Sequence, residues 1–194
     1  MSAPRPLADL FRAGGGGAAA LAALLLAPSA EAEPLLSQSA MVEELTRGLF
    51  CAASEGGRME APDTEFGWIH IPQEPVAMRR PGSLAPAVLG IGFGVEFTLT
   101  GTQPVLVRHV VRHPPMPPSG RVEQSWESWI IGGVAEVVFF QFDIDPELLP
   151  GRWSFTALAG EDELYHAEFD IVPADQAPHL AGLCVGGDLL TFSR

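Results

Sequence analysis

Lysine is missing from this 194-residue chain: its 11 basic residues are all arginine, set against 24 acidic ones. The absence excludes Schiff-base chemistry and a P-loop lysine. The net charge of −13 excludes the clustered positive charge that a nucleic acid or an anionic membrane surface requires. Cysteine is scarce as well, with only Cys51 and Cys184, and the missing C-x-x-C spacing argues against a redox-active pair. There is no G-x-S-x-G elbow, which removes the usual serine-hydrolase reading. No internal repeat of about 20–50 residues is present, so a solenoid or propeller is unsupported. No apolar run approaches the roughly 20 residues of a membrane span.

What remains is apolar enough to fold. Hydrophobic residues make up 47% of the chain, well outside the range of disordered sequences. Residues 1–32 read as a secretory leader: Arg5 and Arg12 come first, a short apolar stretch runs from Ala18 to Ala27, and Ala30-Glu31-Ala32 supplies a small-x-small cleavage pattern. A buried N-terminal helix is the alternative, and the four glycines at 14–17 speak against it. Cleavage leaves Glu33 first, no membrane span behind, and a periplasmic or secreted domain. Arg5 and Arg12 balance Asp9 and Glu31, so that domain keeps the full −13. In an exported chain an even cysteine count points to a Cys51–Cys184 disulfide, with two separate buried thiols as the alternative. Closing so long a loop is worth about 5 kcal/mol by loop entropy, before any native strain is subtracted.

The periodicity is that of strands. Residues 33–41 form a lead-in to a single domain over 42–194, and a C-terminal tail begins near 173. Met41–Thr46 has the look of a helix start, while Gly48–Cys51 reads as a strand and 54–64 as a loop. Phe66, Trp68 and His70 alternate along a short strand, and four prolines make 72–87 an extended connection. The clearest strand is 91–100, where Ile91, Phe93, Val95, Phe97 and Leu99 share one face and glycines and polar residues the other. Its glycines lie within this alternation, which marks close packing and not a phosphate loop. Residues 105–112 read as its hairpin partner, 114–121 as a stiff Pro-rich loop, and 122–131 as a strand with two tryptophans. Residues 134–143 are apolar on both faces, as in a central strand. A final hairpin turns at Gly160, with Trp153, Phe155 and Ala157 before it and Tyr165, Ala167, Phe169 and Ile171 after. Seven to eight short strands predict an all-β, immunoglobulin-like antiparallel sandwich.

Seven blocks in order carry a further signal: GLFCA (48–52), PAVLGIGFGVEF (86–97), RHPPMPPSG (112–120), QSW (124–126), FFQFD (139–143), ELLPGRW (147–153) and LYHAEFDIV (164–172). Together they resemble the bacterial domain of unknown function 3859, found in exported alphaproteobacterial proteins, over about residues 42–192. The resemblance implies a signal peptide, a small β-rich domain and a cysteine near each end. It brings no assigned activity and hence no catalytic residues.

The candidate sites are few. His109 and His113 stand four residues apart with Arg108 and Arg112 beside them; about 13 Å of strand separates such a pair, too far to share an ion. The preferred reading there is a polar strand face whose arginines pair with acids. His166, Glu168 and Asp170 share a face and read as the solvated side of an edge hairpin. Asp143, Asp145 and Glu147 lack the calcium-loop pattern, and Pro146 breaks their spacing. The binding candidates are Trp126, Trp129 and the rigid loop with His113, Pro114, Pro115 and Met116, since tryptophan is enriched at hot spots and a stiff loop loses little entropy on docking. Alternation places Trp126 and Trp129 on opposite faces. The functional expectation is an exported, non-enzymatic binding or assembly module of the cell envelope, without metal or cofactor, whose partner is an unidentified envelope protein or glycan. The alternative is a metal-dependent or hydrolytic envelope enzyme with histidines and acids assembled by folding.

Overall fold

The computed structural model describes residues 32–184. Among these, residues 33–184 belong to one compact unit. The leader (apart from Ala32) and the apolar patch at 189–192 lie outside the described residues.

Seven long strands build a two-sheet sandwich: β2 (Val42–Cys51), β7 (Ile91–Leu99), β8 (Pro104–Met116), β9 (Arg121–Ile131), β10 (Ala135–Gln141), β11 (Gly151–Ala159) and β12 (Asp162–Val172). Short pieces complete it: β1 (Leu36–Gln38), β3 (Glu55–Glu60), β4 (Trp68–Pro72), β5 (Arg80–Pro81) and β6 (Leu84–Pro86). One sheet runs β1-β12-β11-β8-β9, with β6 also on β12; the other runs β10-β7-β2-β5. The path between them is a Greek key. From β7 the chain crosses to β8, turns back as β9, crosses again to lie as β10 beside β7, and crosses once more to β11 beside β8 before the β11–β12 hairpin. That connectivity makes the fold an immunoglobulin-like antiparallel sandwich, as the strand pattern predicts.

The alternating residues of β7 form the centre of the core. Phe93, Val95 and Phe97 are at most 1% exposed. The Phe93 ring lies 5.3–6.1 Å from the rings of Phe140, Phe142, Trp153, Phe155 and Phe169, so one side chain joins both sheets. The opposite face of β7 needs its glycines: a Cβ on Gly94 would fall on the Val138 carbonyl oxygen and on Phe139. Phe139 can therefore lie across the strand and pack on buried Phe50, at 5.3 Å between rings.

Several sequence expectations are corrected. The start of β2 is strand, not helix, because its pairing with β7 begins at Val42 and sheet pairing overrides a local helix signal. Residues 55–60 form β3, which pairs with β4, instead of a loop. The lead-in is pinned as β1 on β12. Strand β8 continues through Pro114 and Pro115 to Met116, leaving a shorter loop. Strands β7 and β8 are not a hairpin: they belong to opposite sheets, their apolar faces meeting across the core. Strand β10 is an edge strand, not a central one. Its two apolar faces have separate causes, the inner one meeting the core and the outer one carrying Phe139.

The side of the sandwich near β12 and β2 is closed by charge. The Arg47 guanidinium donates to the carbonyls of Pro34, Leu35 and Glu168 at 3.0, 2.7 and 3.0 Å. Arg152 pairs with Glu168 at 2.6 Å and with Asp170 at 2.7 Å. The His166–Asp170 face is thus a half-buried ion-pair network on a strand flanked by neighbours, which corrects the expectation of a solvated edge.

Two substitutions test this packing in a denaturant titration. Phe93→Ala is expected to cost about 3–5 kcal/mol, the range for emptying a buried aromatic site. Gly94→Ala is expected to destabilise as well and to shift the β10 amide signals, whereas Gly160→Ala, at a turn with open space around it, is expected to leave β10 undisturbed.

Candidate functional site

The other side of the sandwich is open. β9 and β10 follow one another in sequence through Gly132-Gly133, yet each is the last strand of a different sheet. A gap between two unpaired edges is the consequence, and the β3–β4 hairpin bridges it. The hairpin tip is tied to β9: Glu65 N–H donates to the Gln124 side-chain oxygen (2.9 Å), Ser125 N–H to the Asp63 carbonyl (3.3 Å), and Arg121 to the same carbonyl (3.0 Å). Its base is tied to the end of β10. His70 sits 2.8 Å from Glu55 and 3.3 Å from Asp143, and Ala53 N–H donates to the Gln141 side-chain oxygen at 2.8 Å.

Beneath this roof lies a cleft of about 840 Å³, inside the usual range for small-molecule sites. His109, Trp126, Ser128 and Ile130 line one wall, Glu136, Val138 and Phe140 the other, and Phe66, Trp68 and Ile69 the roof. The register explains the walls: Gln124, Trp126, Ser128 and Ile130 are alternate residues of β9 and share one face. On β10, Glu136 pairs with Phe97, Val138 with Val95 and Phe140 with Phe93, so these three point inward.

His109 is the most deeply buried of the polar groups along the cleft among the described residues, 1% exposed, with Thr64, Gln124 and Glu147 also buried. Its Nε2 is 2.8 Å from the Ser128 hydroxyl, its ring stacks on Trp126 at 5.3 Å, and its Nδ1 has no partner. Burial pushes its pKa down to about 4, so the ring is neutral at pH 7. Burial also raises the Glu136 carboxyl above its ordinary value. The charged side chains along the cleft are Glu74, Glu96, Glu136, Asp143 and Glu147, with no arginine. Of these, Glu147 accepts the Asp143 and Ile144 N–H groups at 2.7 and 3.2 Å, an internal cap that leaves its carboxylate engaged. Among the described residues no three His, Cys, Asp or Glu side chains converge to hold a metal ion.

The binding candidates from the sequence separate. Trp126 is half-buried in the cleft, and Trp129 is 67% exposed on the outer face, across from Leu106. Met116 and His113 are buried. His113 Nδ1 donates to the Pro114 carbonyl at 2.8 Å, and Gln124 donates to its Nε2 at 3.2 Å. Its ring lies 4.8 Å from Trp153. Pro114 is half-buried and Pro115 exposed. The expected polar face of β8 divides: Arg112 does pair with Glu123, at 2.8 Å, but both histidines turn inward, because odd-numbered residues of β8 face the core. Cys51 and Cys184 form a disulfide with Cα atoms 5.4 Å apart.

A family model described as "Domain of unknown function (DUF3859)" matches residues 38–171. The chain belongs to the DUF3859 family. The matched stretch includes every residue that lines the cleft. No curated protein matches this DUF3859 chain. Among solved structures it is similar to an immunoglobulin-like protein from Pseudomonas aeruginosa, at 18% identity and a TM-score of 0.49, over 73% of this chain and 100% of that one.

The sequence reading passes over Glu136 and Gln124, and it weighs His109 only with His113, as a pair too far apart to share an ion on a polar strand face. For Gln124 and Ser128 a signal existed, since both share Trp126's face by simple alternation. For Glu136 none did, because its place depends on β10 being an edge.

The buried histidine makes a pH prediction. A base whose folded pKa lies below its unfolded value of 6.5 binds fewer protons when folded, so stability falls as pH drops from about 6.5 to about 4. The loss from His109 alone is about 3 kcal/mol once pH is below both values. Urea titrations at pH 7 and pH 4 are expected to show it, and His109→Gln is expected to flatten that part of the profile.

Proposed function

We propose that this DUF3859 protein is an exported, non-enzymatic binding module of the cell envelope, and that it binds an apolar ligand in the cleft between β9 and β10. One observation carries the reading: an apolar space of about 840 Å³, lined by Trp126 and roofed by a separately anchored hairpin. Tryptophan supplies large contact area at low entropic cost, and a pocket with a few convergent polar groups is the usual form of a ligand site. Export is supported by the leader pattern before Glu33 and by the Cys51–Cys184 disulfide, a bond that persists in oxidising compartments. Among the described residues no helix is long and apolar enough to cross a membrane. An envelope protein or glycan carrying an apolar group is the kind of partner such a cleft suits.

The neutral probe N-phenyl-1-naphthylamine tests the cleft. Its fluorescence is expected to rise on titration into the protein with one-to-one saturation. Trp126→Ala is expected to weaken it at least tenfold, about 1.4 kcal/mol, and Trp129→Ala on the outer face to leave it unchanged. Equal loss in both variants, or no saturable binding to the parent protein, overturns the reading. Export has its own readout: protein from the periplasm of its host is expected to have a mass that begins at Glu33 and is two hydrogens light.

A further inference from the structure

We infer that the occupant of the cleft is an amphiphilic amine, an apolar body carrying one protonated nitrogen, with Glu136 as its counter-charge. The inference rests on the cleft being the binding site and adds the chemistry of its ligand.

The first support is the sign of the charges. Five carboxylate residues and no arginine line the cleft, and the chain contains no lysine to reach it. An anionic headgroup entering here meets like charge in a partly desolvated space, where repulsion is stronger than in water. A cation meets the opposite.

The second support is the position of Glu136. Its pairing with Phe97 fixes it on the inner face of β10, in the row of Val138 and Phe140. Glu136 is half-buried there, so its carboxylate gives up part of its hydration, a loss that an opposite charge would offset. Here no ion pair or side-chain hydrogen bond reaches it among the described residues, and the raised carboxyl pKa has burial as its cause. Asp143 and Glu147 are engaged within the protein; of the other three, Glu74 is exposed and Glu96 lies on the outer face of β7 opposite Val137, and Glu136 is the one set in the inward row.

The third support is aromatic. Trp126 and Trp68 flank the same space, and ring faces attract cations. Trp68 already does so within the protein, with the Arg58 guanidinium 3.7 Å from its ring centre. His109 stacks on Trp126 in the same wall and, its ring being neutral at pH 7, sets no positive charge there to oppose a cation.

Three probes of one chain length separate charge from apolar contact: decylamine, decanol and decanoate, each titrated at pH 7 against protein loaded with N-phenyl-1-naphthylamine. Decylamine is expected to displace the dye at a concentration at least tenfold below decanol, and decanoate to be the weakest. Glu136→Gln is expected to weaken decylamine about tenfold and leave decanol unchanged. Glu163→Gln, at an exposed position away from the cleft, is expected to change neither, which separates Glu136 from the general pull of an acidic protein. Decanoate binding as tightly as decylamine, or an unchanged amine-to-alcohol ratio in Glu136→Gln, overturns the assignment of charge. In that event decanol displacement that is lost in Trp126→Ala leaves the cleft itself standing. If none of the three displaces the dye, the ligand class fails altogether.

Discussion

The packing of Phe93 against five aromatic rings is the contact on which the rest of the molecule depends. It holds the β10-β7-β2 sheet against the β8-β11-β12 sheet, and it brings Trp153 under His113. From there a run of hydrogen bonds leads outward: Gln124 donates to His113, and its oxygen receives the Glu65 N–H at the hairpin tip. One of the ties that register the roof of the cleft to the core therefore runs through a buried glutamine. Polar groups of this kind cost free energy unless satisfied, and here both ends of the Gln124 amide are.

The two sides of the sandwich solve the same problem in opposite ways. Where β2 meets β12, Arg47 bridges the sheets through backbone carbonyls, and Arg152 of β11 engages the Glu168 and Asp170 carboxylates of β12 within its own sheet. Where β9 meets β10, no arginine enters the gap. The sheets there are separated by hydrophobic side chains and by carboxylates, and a hairpin supplies the cover that ion pairs supply elsewhere. Arg58 and Arg121 are held by the hairpin that covers this side, and the lining of the cleft itself is left with carboxylates.

How much of this was legible beforehand depended on what period-two alternation can report. It reports faces. The inward row from Ile91 to Leu99, the final hairpin turning at Gly160 and the all-β class all followed from faces alone. It does not report which sheet a strand joins. The turn at Gly101–Pro104 suits a hairpin or a crossing equally, so β7 and β8 were paired in error. The same blindness hid the cleft, because β9 and β10 look like hairpin partners across Gly132-Gly133 and are not. Trp126 was visible as a candidate by residue type. Glu136 was not, since its neighbours come from strands that are distant in sequence, and His109 was visible only as half of a His109/His113 pair. The hairpin at 55–72 was half seen, its first strand being rich in glycine and charge and poor in the β-branched residues that announce a strand.

The Cys51–Cys184 bridge sets the path by which force crosses the molecule. A pull applied between Glu33 and Cys184 passes along β1 and β2 and then through the covalent bond, while the 132 residues between the two cysteines lie off that line. The seams under load are β1 on β12 and β2 on β7. The cleft, its hairpin roof and the ring of aromatics around Phe93 hang from the loaded line as a slack loop, so a tether drawn taut at both ends leaves the ligand site without tension along its own backbone.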